Sequence, residues 1–244
     1  MENISNSEIK SVKALTAKKF RDETGLFTVE GEKMVSEALA SDFEVVKLYR
    51  IEQIGESAME RMSGLSSPPP VLAVVRQRAE RPLEVRGGLY LLLDGIRDPG
   101  NLGTILRLAD WFGVTAVLAG GESVELYNPK VVQSTMGAVF RVEYHTGESC
   151  GFARRILDAG GCVYGTVLSG GENIYTGELK TGSDCPVAIA VGNESAGISP
   201  ALLSLLSGRL FIPPYPPQGG GCESLNAATA TAIALAEFRR RILI

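Results

Sequence analysis

Residues 89–107 read LYLLLDGIRDPGNLGTILR, and this stretch decides the class of the fold. Residues 89–93 form an unbroken apolar run, which is typical of a strand buried on both faces of a parallel sheet. A Gly/Pro turn follows, and the next apolar residues recur at the spacing of one buried helical face, namely Leu102, Ile105, Leu106 and Ala109. A strand that passes through a turn into a helix indicates an α/β protein, and such sheets bind ligands at that turn.

Short apolar strands and helix-length segments alternate along the rest of the chain. After residue 107 the pattern predicts strands at residues 115–118, 163–168, 187–191 and 209–212. Alternation of this kind favours a doubly wound parallel sheet. A smaller α/β unit is predicted before it, with strands at 27–29, 45–50 and 71–75 and helices at 31–41 and 56–62.

The segment of residues 76–88 separates the two predicted units. It carries four arginines around Pro82 and ends in two glycines, a composition that is typical of an interdomain linker. The expected domains are therefore residues 1–84 and residues 85–244.

The composition is that of an ordinary globular protein. The chain has 244 residues, of which 45% are hydrophobic and 21% charged, and its net charge of -4 gives no indication of a nucleic-acid partner. The first residues do not resemble a secretory signal, and no apolar run approaches the roughly 20 residues of a membrane span, so we expect a soluble, cytoplasmic protein. The scattered cysteines are expected to be reduced thiols, and no metal site is expected around the single histidine, His145.

Two further segments place polar residues directly after predicted strands. Residues 189–198 read IAVGNESAGI, and residues 210–214 read LFIPP. Residues 224–226 read SLN and precede a long apolar segment, where Ser224 or Asn226 is suited to cap a helix. The turn after residue 93 matches neither the dinucleotide-binding nor the P-loop glycine pattern, so a generic phosphate cradle is disfavoured.

In this order the segments resemble the signature motifs of the SpoU family of RNA ribose 2′-O-methyltransferases: N-x-G-T-I-x-R, then G-N-E-x-x-G-I, then S-L-N. The resemblance covers residues 89–244. It implies S-adenosylmethionine as cofactor, a SPOUT fold with a deep trefoil knot, and a homodimer with residues 225–238 at its interface; burial of that helix within one monomer is the alternative. Residues 11–40, with FTVEG at 27–31, resemble the small ribosomal-protein-like substrate-binding domain of family members.

The resemblance also implies which residues form the site. The cofactor positions are Gly192, Ile212, Leu225, Thr166 and Leu168. The catalytic and substrate-orienting positions are Arg107, Asn101, Glu194, Ser224 and Asn226. Arg107 would either take the proton of the 2′-hydroxyl or bind phosphate and stabilise the developing alkoxide, and Glu194 would hold Arg107 or the ribose. The loop of residues 213–223 is longer than usual in the family, which leaves its cofactor contacts open.

Three functions are compatible with these motifs. Ribosomal RNA is the favoured substrate because the first domain resembles that of ribosome-associated RNA binders. A tRNA 2′-O-methyltransferase is one alternative, and a non-catalytic knotted RNA-binding protein is another. Two basic clusters are candidates for gripping the RNA: Lys10, Lys13, Lys18, Lys19 and Arg21 in the first, and Arg76, Arg78, Arg81 and Arg86 in the second.

Overall fold

A computed structural model of the chain describes residues 4–181, 185–216 and 223–243. The helices are α1 (Asn6–Ala14), α2 (Lys18–Thr24), α3 (Glu32–Ala40), α4 (Ile51–Ile54), α5 (Glu56–Met62), α6 (Pro99–Trp111), α7 (Pro129–Ser134), α8 (Ser149–Asp158), α9 (Pro200–Leu203) and α10 (Ala227–Leu243), with a 3-10 turn at Ala138–Phe140. The strands are β1 (Leu26–Glu30), β2 (Val45–Arg50), β3 (Val71–Arg76), β4 (Gly88–Asp94), β5 (Ala116–Gly120), β6 (Tyr144–Gly147), β7 (Cys162–Val167), β8 (Glu172–Asn173), β9 (Pro186–Gly192) and β10 (Gly208–Phe211).

The chain divides into two compact units. The first comprises Met1–Glu80 and Glu125–Arg141, and the second comprises Arg81–Val124 and Val142–Ile244. The chain first passes from one unit to the other after Glu80, a few residues before the expected boundary at residue 84. The segment Glu125–Arg141 packs with the first unit, whereas the predicted boundaries assign it to the second.

The first unit is built on a three-stranded antiparallel sheet in the order β1-β3-β2. The central strand β3 is buried along its first five residues, because helices cover both faces of the sheet. One core contains side chains of α3, and the other contains side chains of α1 and α5. The three strands and two helices predicted for this unit are confirmed, with ends that agree to within one or two residues.

The segment Glu125–Arg141 completes the core on the α3 side of that sheet. Val132, Val139 and Phe140 are buried in it. The ring of Phe140 packs edge-on against Phe43, with ring centroids 5.2 Å apart. Since this segment follows β5 in the chain but supplies core side chains to the first unit, that unit is not a contiguous stretch of sequence.

The second unit contains a seven-stranded sheet in the order β6-β5-β4-β9-β7-β10-β8, and every pairing in it is parallel. The predicted parallel sheet is confirmed, and β6 and β8 are additional strands at its two edges. The central strands β4 and β9 are almost entirely buried, as their continuous apolar sequences predict. Strand β9 lies between β4 and β7, so the carboxyl ends of these three strands share one edge of the sheet.

Helices α6 and α10 pack against each other in this unit. Helix α6 begins where the side chain of Asp98 accepts the backbone N–H of Asn101 and Pro99 occupies the first turn. Helix α10 begins at Ala227, directly after Asn226, and runs to Leu243. Within one chain, Thr229 and Ala236 on α10 are exposed and Ala232 is half-buried. No helix in the described ranges combines the length and apolar character needed to cross a bilayer.

Candidate active site

The ends of β4 and β9 lie side by side, with Asp94 paired to Gly192. One oxygen of the Asp94 carboxylate accepts the hydroxyl of Ser149 at 2.7 Å, and the other accepts the backbone N–H of Ser199 at 2.8 Å. Asp94 therefore ties the first motif to the segment that follows the second. Sequence reasoning missed this role, although Asp94 stands at the strand end of the first motif.

The loop after β9 folds back on itself at Gly192. A Cβ atom there would lie 2.2 Å from the carbonyl carbon of Gly197 and 2.3 Å from the nitrogen of Ile198, so no larger residue fits. Asn193 organises the same loop. Its side-chain oxygen accepts the backbone N–H groups of Ser195 and Ala196, at 2.9 and 3.0 Å. This second overlooked residue lies within the motif G-N-E-x-x-G-I.

A chain of side-chain hydrogen bonds joins the three motifs. The amide of Asn226 donates to the side-chain oxygen of Asn101 at 2.9 Å, and the amide of Asn101 donates to Glu194 at 2.6 Å. Each asparagine uses one end of its amide as donor and the other as acceptor. The structure therefore brings together three of the five predicted catalytic residues.

Asn226 also begins helix α10. Its side-chain oxygen accepts the backbone N–H groups of Ala228 and Thr229, at 3.0 and 3.2 Å, which are two of the donors left free at a helix start. Of the two residues suited to cap the helix, Asn226 is therefore the N-cap. Ser224 is exposed, and its hydroxyl makes no hydrogen bond with the residues that the structure describes.

Arg107 is exposed on α6, and within the described residues it makes no hydrogen bond or ion pair. Glu194, its expected partner, instead contacts Asn101 and Asn193. The Arg107 guanidinium is thus available to a ligand. Arg107 shares its face of the helix with Thr104 and Trp111, and Trp111 is 83% exposed.

An open groove of about 440 Å³ runs between the starts of α6 and α10. It is bordered on one side by Asn101, Thr104 and Leu108 and on the other by Thr229 and Ala232. These residues recur every three or four positions, so each set lies on one face of its helix. The groove therefore continues directly from the hydrogen-bonded asparagines.

The predicted cofactor positions lie at the carboxyl ends of strands that are adjacent in the sheet. Thr166 and Leu168 stand at the end of β7, Gly192 at the end of β9, and Ile212 just after β10. Leu210 pairs with Thr166 in the parallel register. In the expected loop of residues 213–223, residues 217–222 lie outside the described part of the chain.

The chemistry of these positions fits S-adenosylmethionine. Leu168 and Leu225 are 69% and 47% exposed, an arrangement that leaves apolar surface for an adenine ring or a methionine side chain. The positions carry no basic side chain, and this cofactor has no phosphate that would require one. Hydrogen bonding at such a site would come from backbone groups at the strand ends.

Most side chains of the two predicted basic clusters already have partners. The prediction that Arg21 belongs to an RNA-binding basic cluster is wrong, because this side chain is buried, donates to the carbonyl of Leu15 at 2.7 Å, and pairs with Glu125. Other cluster members bind partners as well: Lys13 donates to Ser63, Lys18 pairs with Asp22, Lys19 with Glu23, Arg76 with Glu44, and Arg78 with Asp42. Lys10, Arg81 and Arg86 are exposed.

His145 lies on β6, where its ring nitrogen contacts the carboxylate of Glu143 at 2.9 Å, away from the three motifs. The described residues hold no group of three or more side chains arranged to bind a metal ion. Cys150, Cys162 and Cys185 are free thiols. Cys222 lies outside the described residues.

Comparison with known proteins identifies two matching families. The SpoU rRNA methylase family matches residues 88–236, and the MRM3-like substrate-binding domain matches residues 6–79. The 23S rRNA (guanosine(2553)-2′-O)-methyltransferase RlmP of Bacillus subtilis is 31% identical over 98% of each chain.

Two solved structures superpose on nearly the whole chain. One, assigned to the TrmH family of RNA methyltransferases and from Porphyromonas gingivalis, is 36% identical with a TM-score of 0.88, covering 98% of this chain and 100% of that one. The other, an AdoMet-bound rRNA methyltransferase from Sinorhizobium meliloti, is 31% identical with a TM-score of 0.87, covering 100% of this chain and 98% of that one. The chain belongs to the SpoU rRNA methylase family.

Proposed function

We propose that this protein transfers a methyl group from S-adenosylmethionine to a ribose 2′-hydroxyl of ribosomal RNA. The observation that carries the proposal is the hydrogen-bonded chain from Asn226 through Asn101 to Glu194. It holds the three family motifs together at the edge of the sheet where strand ends offer a ligand site. The relative from Bacillus subtilis, which aligns over nearly the whole chain, is named for this reaction on 23S rRNA.

The residues that would hold the cofactor are Thr166, Leu168, Gly192, Ile212 and Leu225. When bound, S-adenosylmethionine supplies a methyl group on a sulfonium, which is electrophilic without further activation. At Gly192 the backbone of Gly197 and Ile198 approaches so closely that a side chain would not fit. The apolar side chains of Leu168 and Leu225 would cover the ligand and exclude water.

The remaining task for the protein is to prepare a weak nucleophile. A ribose hydroxyl attacks well only as its proton leaves, so positive charge near the oxygen favours the reaction. Arg107 can donate to the phosphate beside the ribose and to the developing alkoxide, since its guanidinium is exposed and has no partner among the described residues. Asn101, held between Asn226 and Glu194, would orient the ribose.

We further propose that two copies complete the site and that α10 takes part in a trefoil knot. The exposed Trp111, and the groove of small and polar side chains between α6 and α10, offer a surface that a second chain can cover. On α10, Thr229, Ala232 and Ala236 continue this surface at spacings of three and four residues. The placement of β9 between β4 and β7, with β10 beyond β7, supports a knotted path for the last segments.

The function is tested with tritiated S-adenosylmethionine and purified RNA. We expect label to enter ribosomal RNA taken from cells that lack the gene, at one ribose 2′-oxygen, and not ribosomal RNA from cells that carry it. Transfer RNA from the same deleted cells is the second arm. Labelling of the tRNA alone would replace the proposed substrate, and labelling of neither RNA while the cofactor binds would favour a non-catalytic RNA-binding protein.

A further inference from the structure

The carboxylate of Glu237 is buried near the end of α10, with 5% of its side chain exposed. It accepts two hydrogen bonds from Arg240, both at 2.8 Å, and one from Arg241 at 2.7 Å. These contacts, first from Arg240 and then from Arg241, lower the pKa of Glu237 to about 2. The residue is therefore a fixed anion at neutral pH, and it holds two guanidinium groups at this end of the helix.

The two arginines differ in what else they bind. The side chain of Arg240 is 54% exposed, and its hydrogen bonds go to Glu237. Arg241 is 17% exposed and donates at 2.6 Å to two backbone carbonyls, those of Ile174 and Gly177. Its planar guanidinium group therefore bridges two carbonyls of a turn that is more than 60 residues away in the chain. The Nε atom of the same group is held by Glu237.

That turn is joined to strand β10. The N–H of Ile174 donates to the carbonyl of Phe211 at 3.0 Å, and β8 pairs in parallel with the end of β10. Within the turn, the backbone N–H of Gly177 donates to the carbonyl of Asn173 at 2.9 Å. A continuous series of contacts therefore leads from Arg241 through Ile174 to Phe211, the residue that precedes Ile212.

We propose that Arg241, oriented by Glu237, is a positioning residue for cofactor binding. It fixes the turn of residues 173–177, and this turn holds the carboxyl end of β10 where Ile212 meets the ligand. The inference rests on the proposed function, because it takes Ile212 as a cofactor position. Arg241 would not touch the cofactor. Its effect passes through two backbone carbonyls and the hydrogen bond from Ile174 to Phe211.

The test compares Arg241→Gln with Arg240→Gln in the full-length protein. Both variants remove one guanidinium from Glu237, but only the first removes the contacts to the turn. Calorimetric titration with S-adenosylhomocysteine should show at least tenfold weaker binding for Arg241→Gln, and binding within twofold of wild type for Arg240→Gln. The KM for RNA should be unchanged in both, since the turn is not part of the proposed RNA contacts.

Hydrogen exchange supplies a readout that separates positioning from loss of stability. In Arg241→Gln the amide of Ile174 should exchange faster, while amides of β4 and β9 keep their wild-type protection. Arg241→Lys is the second variant, because it keeps a positive charge beside Glu237 without a fork that spans both carbonyls. It should bind the cofactor analogue with intermediate affinity.

If a folded Arg241→Gln binds S-adenosylhomocysteine with the same affinity as the wild type, the inference is overturned and the proposed function still stands. If Arg241→Gln does not fold, wild-type affinity in Arg241→Lys overturns the inference in the same way. Failure of the wild-type protein to bind S-adenosylhomocysteine or S-adenosylmethionine would overturn both proposals.

Discussion

The side-chain amide of Asn101 donates to the carboxylate of Glu194 at 2.6 Å, although 93 positions separate the two residues. The bond connects the first turn of α6 with the loop that follows β9. Because the opposite end of the same amide accepts from Asn226, Asn101 has one orientation in the site. The orientation of Asn101 therefore depends on both other motifs.

Two substitutions of Asn226 should distinguish its role in stability from its role in activity. Asn226→Ala removes the N-cap of α10 and should lower the free energy of unfolding by about 1 kcal/mol. Asn226→Asp keeps a capping oxygen but loses the donor to Asn101, so stability should stay near wild type while methyl transfer falls about tenfold. Thermal melts and initial rates measure the two effects. Wild-type turnover in a stable Asn226→Asp would show that the Asn226–Asn101 bond is not needed for catalysis.

Arg107→Ala should abolish methyl transfer and leave cofactor binding nearly intact. The side chain is exposed on the face of α6 away from the core, and no predicted cofactor position lies on that helix. Loss of a charge acting on the developing alkoxide should reduce the rate on the order of 100-fold or more. Arg107→Lys should restore little of the methyl-transfer rate, because a lysine ammonium lacks the planar set of donors that can bind a phosphate and a hydroxyl together. The rate assay runs beside a calorimetric titration, and parallel loss of cofactor binding would make Arg107 structural.

Gly192→Ala should destabilise the loop after β9 and abolish cofactor binding. The added methyl group meets backbone atoms at 2.2 to 2.4 Å, which cannot move aside as a flexible side chain can, and such overpacking costs about 1–3 kcal/mol. The matched control is Gly197→Asn. Gly197 has a φ of +70° and open space around it, and asparagine tolerates that backbone conformation. Equal cofactor affinity in the two variants would contradict the steric account.

Acid should remove a measurable part of the stability through Glu237. Its pKa falls from 4.5 to about 2 on folding, so its ion pairs stabilise the protein above about pH 5. This contribution, about 1–3 kcal/mol, is lost progressively as the pH falls from 5 to 2. Denaturant titrations at several pH values check the effect. The difference in unfolding free energy between wild type and Glu237→Gln should shrink across that window, and a constant difference would rule out the linkage.

The proposed dimer depends on the small residues of α10. The wild-type protein should have twice the chain mass of 26.0 kDa by light scattering. Ala232→Glu should give the monomer mass, because an unpaired charge in a buried interface costs several kcal/mol. Since Ala232 is only half-buried within one chain, the variant should keep its circular dichroism spectrum. Ala201→Glu adds the same charge at an exposed position of α9, and this control variant should keep the dimer mass. A wild-type monomer across the micromolar range would refute the dimer.

The central strands of the parallel sheet were predictable because they are buried on both faces. Strands β4 and β9 read as continuous apolar runs, and their bounds were predicted to within one residue. Strands β6 and β8 were missed, and both lie at sheet edges. The residues of β6 are half-buried or exposed, and β8 has two residues, so neither has the apolar pattern that predicts a strand.

The sequence by itself determined the class of the fold and the three motifs, because turns, caps and buried strands depend on residues close together in the chain. Only the tertiary structure decided that Asn101 bonds to Glu194, that Arg21 is a buried cation paired with Glu125, and that Glu125–Arg141 completes the core of the first unit. Each of these contacts joins segments that are far apart in the chain, such as Asn101 and Glu194, which are 93 positions apart. The residue type determines which groups a side chain can bind. Which of those groups lies within reach depends on how distant elements pack together.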